Sequence, residues 1–229
     1  MSVGGLEAPA PLLVFGHGAG AGIDHPLLQG LTRAFVDAGI AVLRYQFPFM
    51  ERRGGSGFGR DPLPVAIATV AAAVAIGRSH CGAGSLFVGG HSYGARMTTH
   101  AAAERRLERV DGCVLLSFPL HAAGRPAADR GAHLPSLDLP LLFLSGSRDA
   151  MARPPWLEDL VARCGAARLV RIQGADHGWK AATRRWPDGV FGELARQAAA
   201  FMVQVSADAA PADRARGARL GKDQSDQRE

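Results

Sequence analysis

The sequence predicts an open α/β fold, a mostly parallel twisted sheet with helices on both faces. Three observations carry that expectation. Six short apolar runs, most of them bounded by Gly or Pro, read as strands buried on both sides. Longer segments of helical pattern separate them, as crossovers between parallel strands require. The chain of 229 residues, 47% of them hydrophobic, is also long and apolar enough for one sizeable domain with a large core. No internal repeat is visible.

Taken in order, the strand candidates are 12–15, 40–45, 85–89, 110–117, 141–145 and 168–172. Helix candidates fall between them at 25–38, 64–78, 93–107, 154–164 and 190–205, with Ala-rich runs such as VAAAVA suggesting close packing on a sheet. Two stretches break the rhythm. Residues 46–60, QFPFMERRGGSGFGR, and 118–139, with scattered Gly and Pro, read as loops of the kind that form lids or pocket walls. Residues 1–205 are expected to form the domain, and 206–229, polar and charged, a disordered tail.

Composition narrows the function. The three cysteines are widely spaced with no Cys-x-x-Cys, so neither a zinc site nor a disulfide framework is indicated, and a reducing compartment fits. The N-terminal MSVGGLEAPAPLLVFGHG shows no basic leader, and its apolar run is too short to cross a membrane, which predicts a soluble cytoplasmic protein. A net charge of +5 could suggest nucleic acid, but the arginines are scattered or gathered in the tail, with no basic stripe interleaved with aromatics. A small-molecule substrate is the expectation, with neither nucleic acid nor membrane as partner.

The chemistry centres on VGGHSYGARM. Gly90-x-Ser92-x-Gly94 matches a nucleophile elbow, a sharp strand-to-helix turn that presents the serine Oγ. In a chain with 29 glycines, about one random sequence in five or six would contain such a pattern, so context must decide. The context fits: a strand ends at 89 and a helix begins near Tyr93. The rival is a serine that only caps that helix. A nucleophilic serine needs a base, and the base an orienting acid. Asp149, in LLFLSGSRDAM, and His177, in LVRIQGADHGW, both lie just past strand ends, where side chains can converge on one crevice. Asp149 could instead cap the helix near Pro154. His91, next to Ser92 on a tight turn, points elsewhere and is expected to pack or hydrogen-bond beneath the elbow. Asp176 adjoins His177 and is poorly placed to orient its ring.

Upstream, Gly16-His17-Gly18-Ala19-Gly20 follows the first strong strand. There the backbone N–H of Ala19 could join that of Tyr93 in an oxyanion hole, with Gly18 or Gly20 as alternatives to Ala19. A phosphate loop is the competing reading, but G-x-G-x-x-G and G-x-x-x-x-G-K-[ST] spacings are both missing. Phe47, Phe49, Met50 and Trp179 are candidate pocket walls, with core plugs the alternative for the two phenylalanines. Arg52 and Arg53 could attract an acidic substrate.

FGHGAGAGIDHP, VLRYQFPFMERR, GGHSYGARM, SGSRDAM and GADHGW together resemble the α/β-hydrolases, and more narrowly the small dienelactone-hydrolase-like members without a large cap. The resemblance runs from about residue 12 to 205. It implies an eight-stranded sheet whose first two strands are truncated or absent here. It also implies a serine hydrolase acting on an ester or thioester, with Ser92, Asp149 and His177 as a triad and no metal or organic cofactor. The same subgroup resembles domains of eukaryotic chromatin-associated proteins, so a catalytically weak binding or scaffolding protein is the alternative.

Overall fold

The computed structural model describes residues 10–52, 59–82, 84–122, 124–125, 129–180 and 188–223, with side chains described as far as 209. Six strands, β1 (Leu12–Gly16), β2 (Ala41–Tyr45), β3 (Leu86–His91), β4 (Gly112–Leu116), β5 (Leu141–Gly146) and β6 (Ala167–Ile172), form one sheet in the order β2-β1-β3-β4-β5-β6. Every neighbouring pair is parallel. The six described strands match the expected runs and are two fewer than the eight of the fold's full form.

Successive residues of a strand point to opposite faces, and both faces here are apolar. Leu12 and Val14 enter one core with Leu86, Val88, Cys113, Leu115, Leu141 and Phe143. Leu13 and Phe15 enter the other with Phe87, Val114, Leu116, Leu142 and Leu144. Helices α3 (Leu63–Cys81), α4 (Tyr93–Ala103) and α5 (Pro154–Ala162) cover the first face. Helices α1 (Pro26–Asp37) and α6 (Gly189–Asp223) cover the second. Among the described residues α3 is long and apolar enough to cross a membrane, but Ala66, Ile67, Val70, Ala73 and Val74 lie in the core against the sheet.

The strand order reverses between β1 and β3: the chain leaves β1 for β2 on one side and returns past it to β3 on the other. In open parallel sheets a crevice forms at the carboxyl ends of the strands at such a switch point. The glycine-rich loop after β1 and the Gly-x-Ser-x-Gly turn after β3 flank it.

Two stretches differ from the sequence reading. The expected 46–60 loop contains a one-turn helix, α2 (Pro48–Glu51), begun by a proline at its first position. The last helix does not stop near 205 but continues to Asp223, which corrects the expectation of a disordered tail from 206 over residues 206–223. The segment is rich in Ala and Arg, which are strong helix formers.

Candidate active site

Ser92 ends the turn between β3 and α4 with φ 53° and ψ −106°, a conformation that costs a residue with a Cβ about 1–3 kcal/mol. Its N–H donates to Leu116 O at 2.9 Å, which pins the turn to the end of β4. Although Ser92 occupies the cap position of α4, its side chain makes no capping bond. The hydroxyl faces His177 instead, with Oγ 2.8 Å from Nε2. The Nδ1 of His177 lies 2.9 Å from both oxygens of Asp149. That carboxylate makes Nδ1 the donor and leaves Nε2 to accept from the serine hydroxyl. Asp149 has a fully buried side chain, whereas that of His177 is 25% exposed. Asp149 does not cap α5, which begins after Arg153; its Oδ1 accepts from Met151 N–H at 2.8 Å.

The loops that carry Asp149 and His177 are tied together by hydrogen bonds. Ser147 N–H donates to Ile172 O at 3.0 Å and Arg148 N–H to Ala175 O at 2.9 Å, and Gly174 N–H donates to Ser147 Oγ at 2.9 Å. Asp176 accepts from Gly178 and Lys180 N–H, folding its own loop rather than aligning the ring of His177.

His91 sits beneath the elbow and donates from Nε2 to the carbonyl of His177 at 2.9 Å. Ser117, at the end of β4, donates to the same oxygen at 3.0 Å. This two-donor clamp fixes the backbone that carries the imidazole. Ser117 had no sequence motif to mark it; its position at a strand's carboxyl end was the available signal.

Burial pushes the His91 imidazole down to about 4, and burial together with the neighbouring His100 and Arg96 does the same for His133. Both rings are therefore neutral in the folded chain, while unfolded histidine titrates near pH 6.5. Between pH 6.5 and about 4 the unfolded chain binds more protons, so stability is full above that window and falls as pH drops through it. Full titration of His91 is worth on the order of 3 kcal/mol. Urea unfolding at pH 5 should thus show a lower midpoint than at pH 7.5. His91→Gln, whose amide can still donate to His177 O, should remove part of that loss; an unchanged pH dependence would exclude His91 as a source.

The elbow and the loop after β1 touch backbone to backbone. A Cβ at Gly90 would meet Gly16 O at 2.7 Å and Gly94 C at 2.6 Å, and one at Gly94 would collide with Gly16 itself. Beyond Gly16, His17 is buried and bridges two loops, donating from Nδ1 to Gly18 O at 2.8 Å and accepting from Phe47 N–H at 2.9 Å. Ala19 is half-buried at the edge of the first core. Tyr93 opens α4, in the first turn, where helical N–H groups lack an intrahelical acceptor.

The expected pocket walls divide. Phe47 and Phe49 are buried core plugs, packed around His17 and Tyr93 at ring separations of 5.0–5.7 Å. Met50 is half-buried against the same cluster. Trp179 is not a pocket wall: it is 4% exposed and lies in the core beneath α1 and α6. Arg52 pairs with Asp61 at 2.5 Å, and Arg53 lies outside the described residues. Among the described residues no group of three or more His, Cys, Asp or Glu is arranged to hold a metal.

A parallel sheet that presents serine, acid and histidine from the ends of β3, β5 and β6 has the architecture of a hydrolase of the α/β class. The chain belongs to the alpha/beta hydrolase domain family, whose model matches residues 9–204. Similar solved structures include Est1E from Butyrivibrio proteoclasticus, at TM-score 0.66 and 15% identity over 88% of this chain and 90% of that one. A serine hydrolase without a lid from Xanthomonas campestris superposes at TM-score 0.62 and 21% identity, over 87% and 83%. A dienelactone hydrolase from Anabaena variabilis does so at 0.64 and 20%, over 85% and 86%. At such identities the likeness is one of fold.

Proposed function

We propose that the protein is a serine hydrolase that cleaves an ester or thioester of small or medium size through an acyl-enzyme. The observation that carries this reading is the continuous run of hydrogen bonds from Ser92 Oγ through His177 to the buried Asp149. His177 Nε2 takes the hydroxyl proton as Ser92 attacks the carbonyl carbon, and Asp149 stabilises the imidazolium that forms. The N–H groups of Tyr93 and Ala19 receive the developing oxyanion. His177 then returns its proton to the leaving oxygen or sulfur. Water, activated by the same nitrogen, hydrolyses the acyl-enzyme and restores the serine.

A fluorophosphonate probe tests the assignment, since it reacts only with an activated serine. Wild-type protein should label, and Ser92→Ala should abolish the signal. Persistent labelling of that variant would remove Ser92 from the role. An unlabelled wild-type protein that forms a stable complex on pull-down would favour a binding protein instead.

A further inference from the structure

One face of α4, starting one residue after Ser92, carries Tyr93, Arg96 and His100. Each holds a buried polar atom that has no hydrogen-bond partner among the described residues: Tyr93 Oη, Arg96 Nε and His100 Nε2. Buried donors and acceptors are nearly always paired, so three on one helical face call for a cause. Two more arginines reach the same place from other segments. Arg60, exposed at the approach to α3, sets its Cζ 5.8 Å from the centroid of the Tyr93 ring. Arg130, in a short 3-10 turn after β4, is held by one Nη–H to His121 O at 3.0 Å.

The charges do not balance. Burial first, then the repulsion of Arg130 and Arg60, weakens the proton affinity of the Arg96 guanidinium, and Arg130 is disfavoured by burial and Arg60 in the same way. Among the described residues none of the three forms an ion pair. Asp129 is the carboxylate whose field favours Arg96 and Arg130. Asp61 is engaged by Arg52 and by Phe49 N–H at 3.1 Å. His100 and His133, stacked at 4.1 Å, add no negative charge.

We propose that Arg60, Arg96 and Arg130 form the recognition site for an anionic group on the substrate, a carboxylate or a phosphate. Guanidinium forks match the paired oxygens of such groups, and an incoming anion relieves the mutual repulsion of the three. Arg96 lies four residues beyond Ser92, about 6 Å along the helix axis, so the anion sits roughly one helical turn from the scissile carbonyl. The inference rests on the serine-hydrolase reading for the reacting end but on different residues for the charge.

The test compares p-nitrophenyl hemiglutarate with p-nitrophenyl valerate, esters of equal length with and without a carboxylate. Wild-type kcat/KM should favour the anionic ester by about 10- to 100-fold. In Arg96→Gln/Arg130→Gln, and to a smaller degree in the surface variant Arg60→Gln, that ratio should collapse toward one. Arg33→Gln on α1, which removes a charge from the other face of the sheet, should leave it intact. In parallel, inorganic phosphate and glutarate are added at equal ionic strength while Tm is followed. A rise with phosphate alone assigns a phosphoryl group and a rise with glutarate alone a carboxylate, provided the rise is lost in the arginine variants. Turnover of the neutral ester without an anionic preference overturns the site and leaves the hydrolase reading standing. A missing Ser92 label, with arginine-dependent anion stabilisation retained, overturns the hydrolase reading and leaves an anion site. A preference or Tm shift that survives in Arg60→Gln and in the double variant overturns the assignment to these arginines.

Discussion

His177→Ala lowers kcat for a short-chain aryl ester by about four to six orders of magnitude while leaving the fold intact. The size follows from the position of the ring. In the proposed mechanism its Nε2, 2.8 Å from Ser92 Oγ, takes the serine proton, and without it the hydroxyl attacks at its ordinary, very low reactivity. The fold survives because the side chain is 25% exposed and fills no core position. The clamp from His91 and Ser117 grips the backbone carbonyl of residue 177, which the substitution retains. Steady-state kinetics with a p-nitrophenyl ester, together with a thermal melt, checks both halves. Turnover like that of the wild type would refute the assignment of the base. A large fall in Tm would mean that the lost rate reflects misfolding instead.

The site is stiff for a reason visible in its connections. The loop after β5 carries Asp149 and the loop after β6 carries His177, and hydrogen bonds through Ser147 and Arg148 make the two loops one unit. His91 and Ser117 join that unit to the serine turn, and the Ser92 N–H joins the turn to β4. Ser92, Asp149 and His177 are therefore each held by contacts outside the three, which is how the proposed mechanism would keep its geometry within the tolerance that catalysis needs. His17 extends the same arrangement to the glycine loop by accepting from Phe47 N–H.

Much of this was legible in the sequence. Strands buried on both faces read as continuous apolar runs, which is why LLVF and LLFLS stood out. The order of Ser92, Asp149 and His177 could be read because each follows a strand, and the ends of parallel strands lie along one edge. The rest depends on contacts between distant segments. Phe47 and Phe49 are plainly apolar, but their role as plugs is decided by His17, 30 residues away from Phe47. Trp179 lies two residues from His177, yet a left-handed φ of 65° accompanies its placement in the opposite core. The helix at Pro48–Glu51 is one turn long and has no period to detect. Arg60, Arg96 and Arg130 are unremarkable in sequence, since their significance lies in three segments bringing their charges together around Arg96.

Gly90→Ala lowers Tm by about 10 °C or more, a loss of roughly 3–5 kcal/mol in a domain of this size. A single methyl group has this effect because of what it meets. The added Cβ would lie 2.6 Å from Gly94 C, 2.7 Å from Gly16 O and 2.8 Å from Ala95 N. All three are backbone atoms, so no side chain can swing aside; β1, β3 or the start of α4 must move. Gly20 is the matched control, because a Cβ there meets nothing within 4 Å among the described residues. Gly20→Ala should therefore change stability by no more than about 0.5 kcal/mol. Differential scanning calorimetry on the two variants separates steric demand from glycine's flexibility: if both alanines melt alike, the contact between the elbow and the glycine loop is not what requires Gly90. If only Gly90→Ala melts early, the second glycine of VGGHSYGARM is there because two backbones must touch where Ser92 is presented.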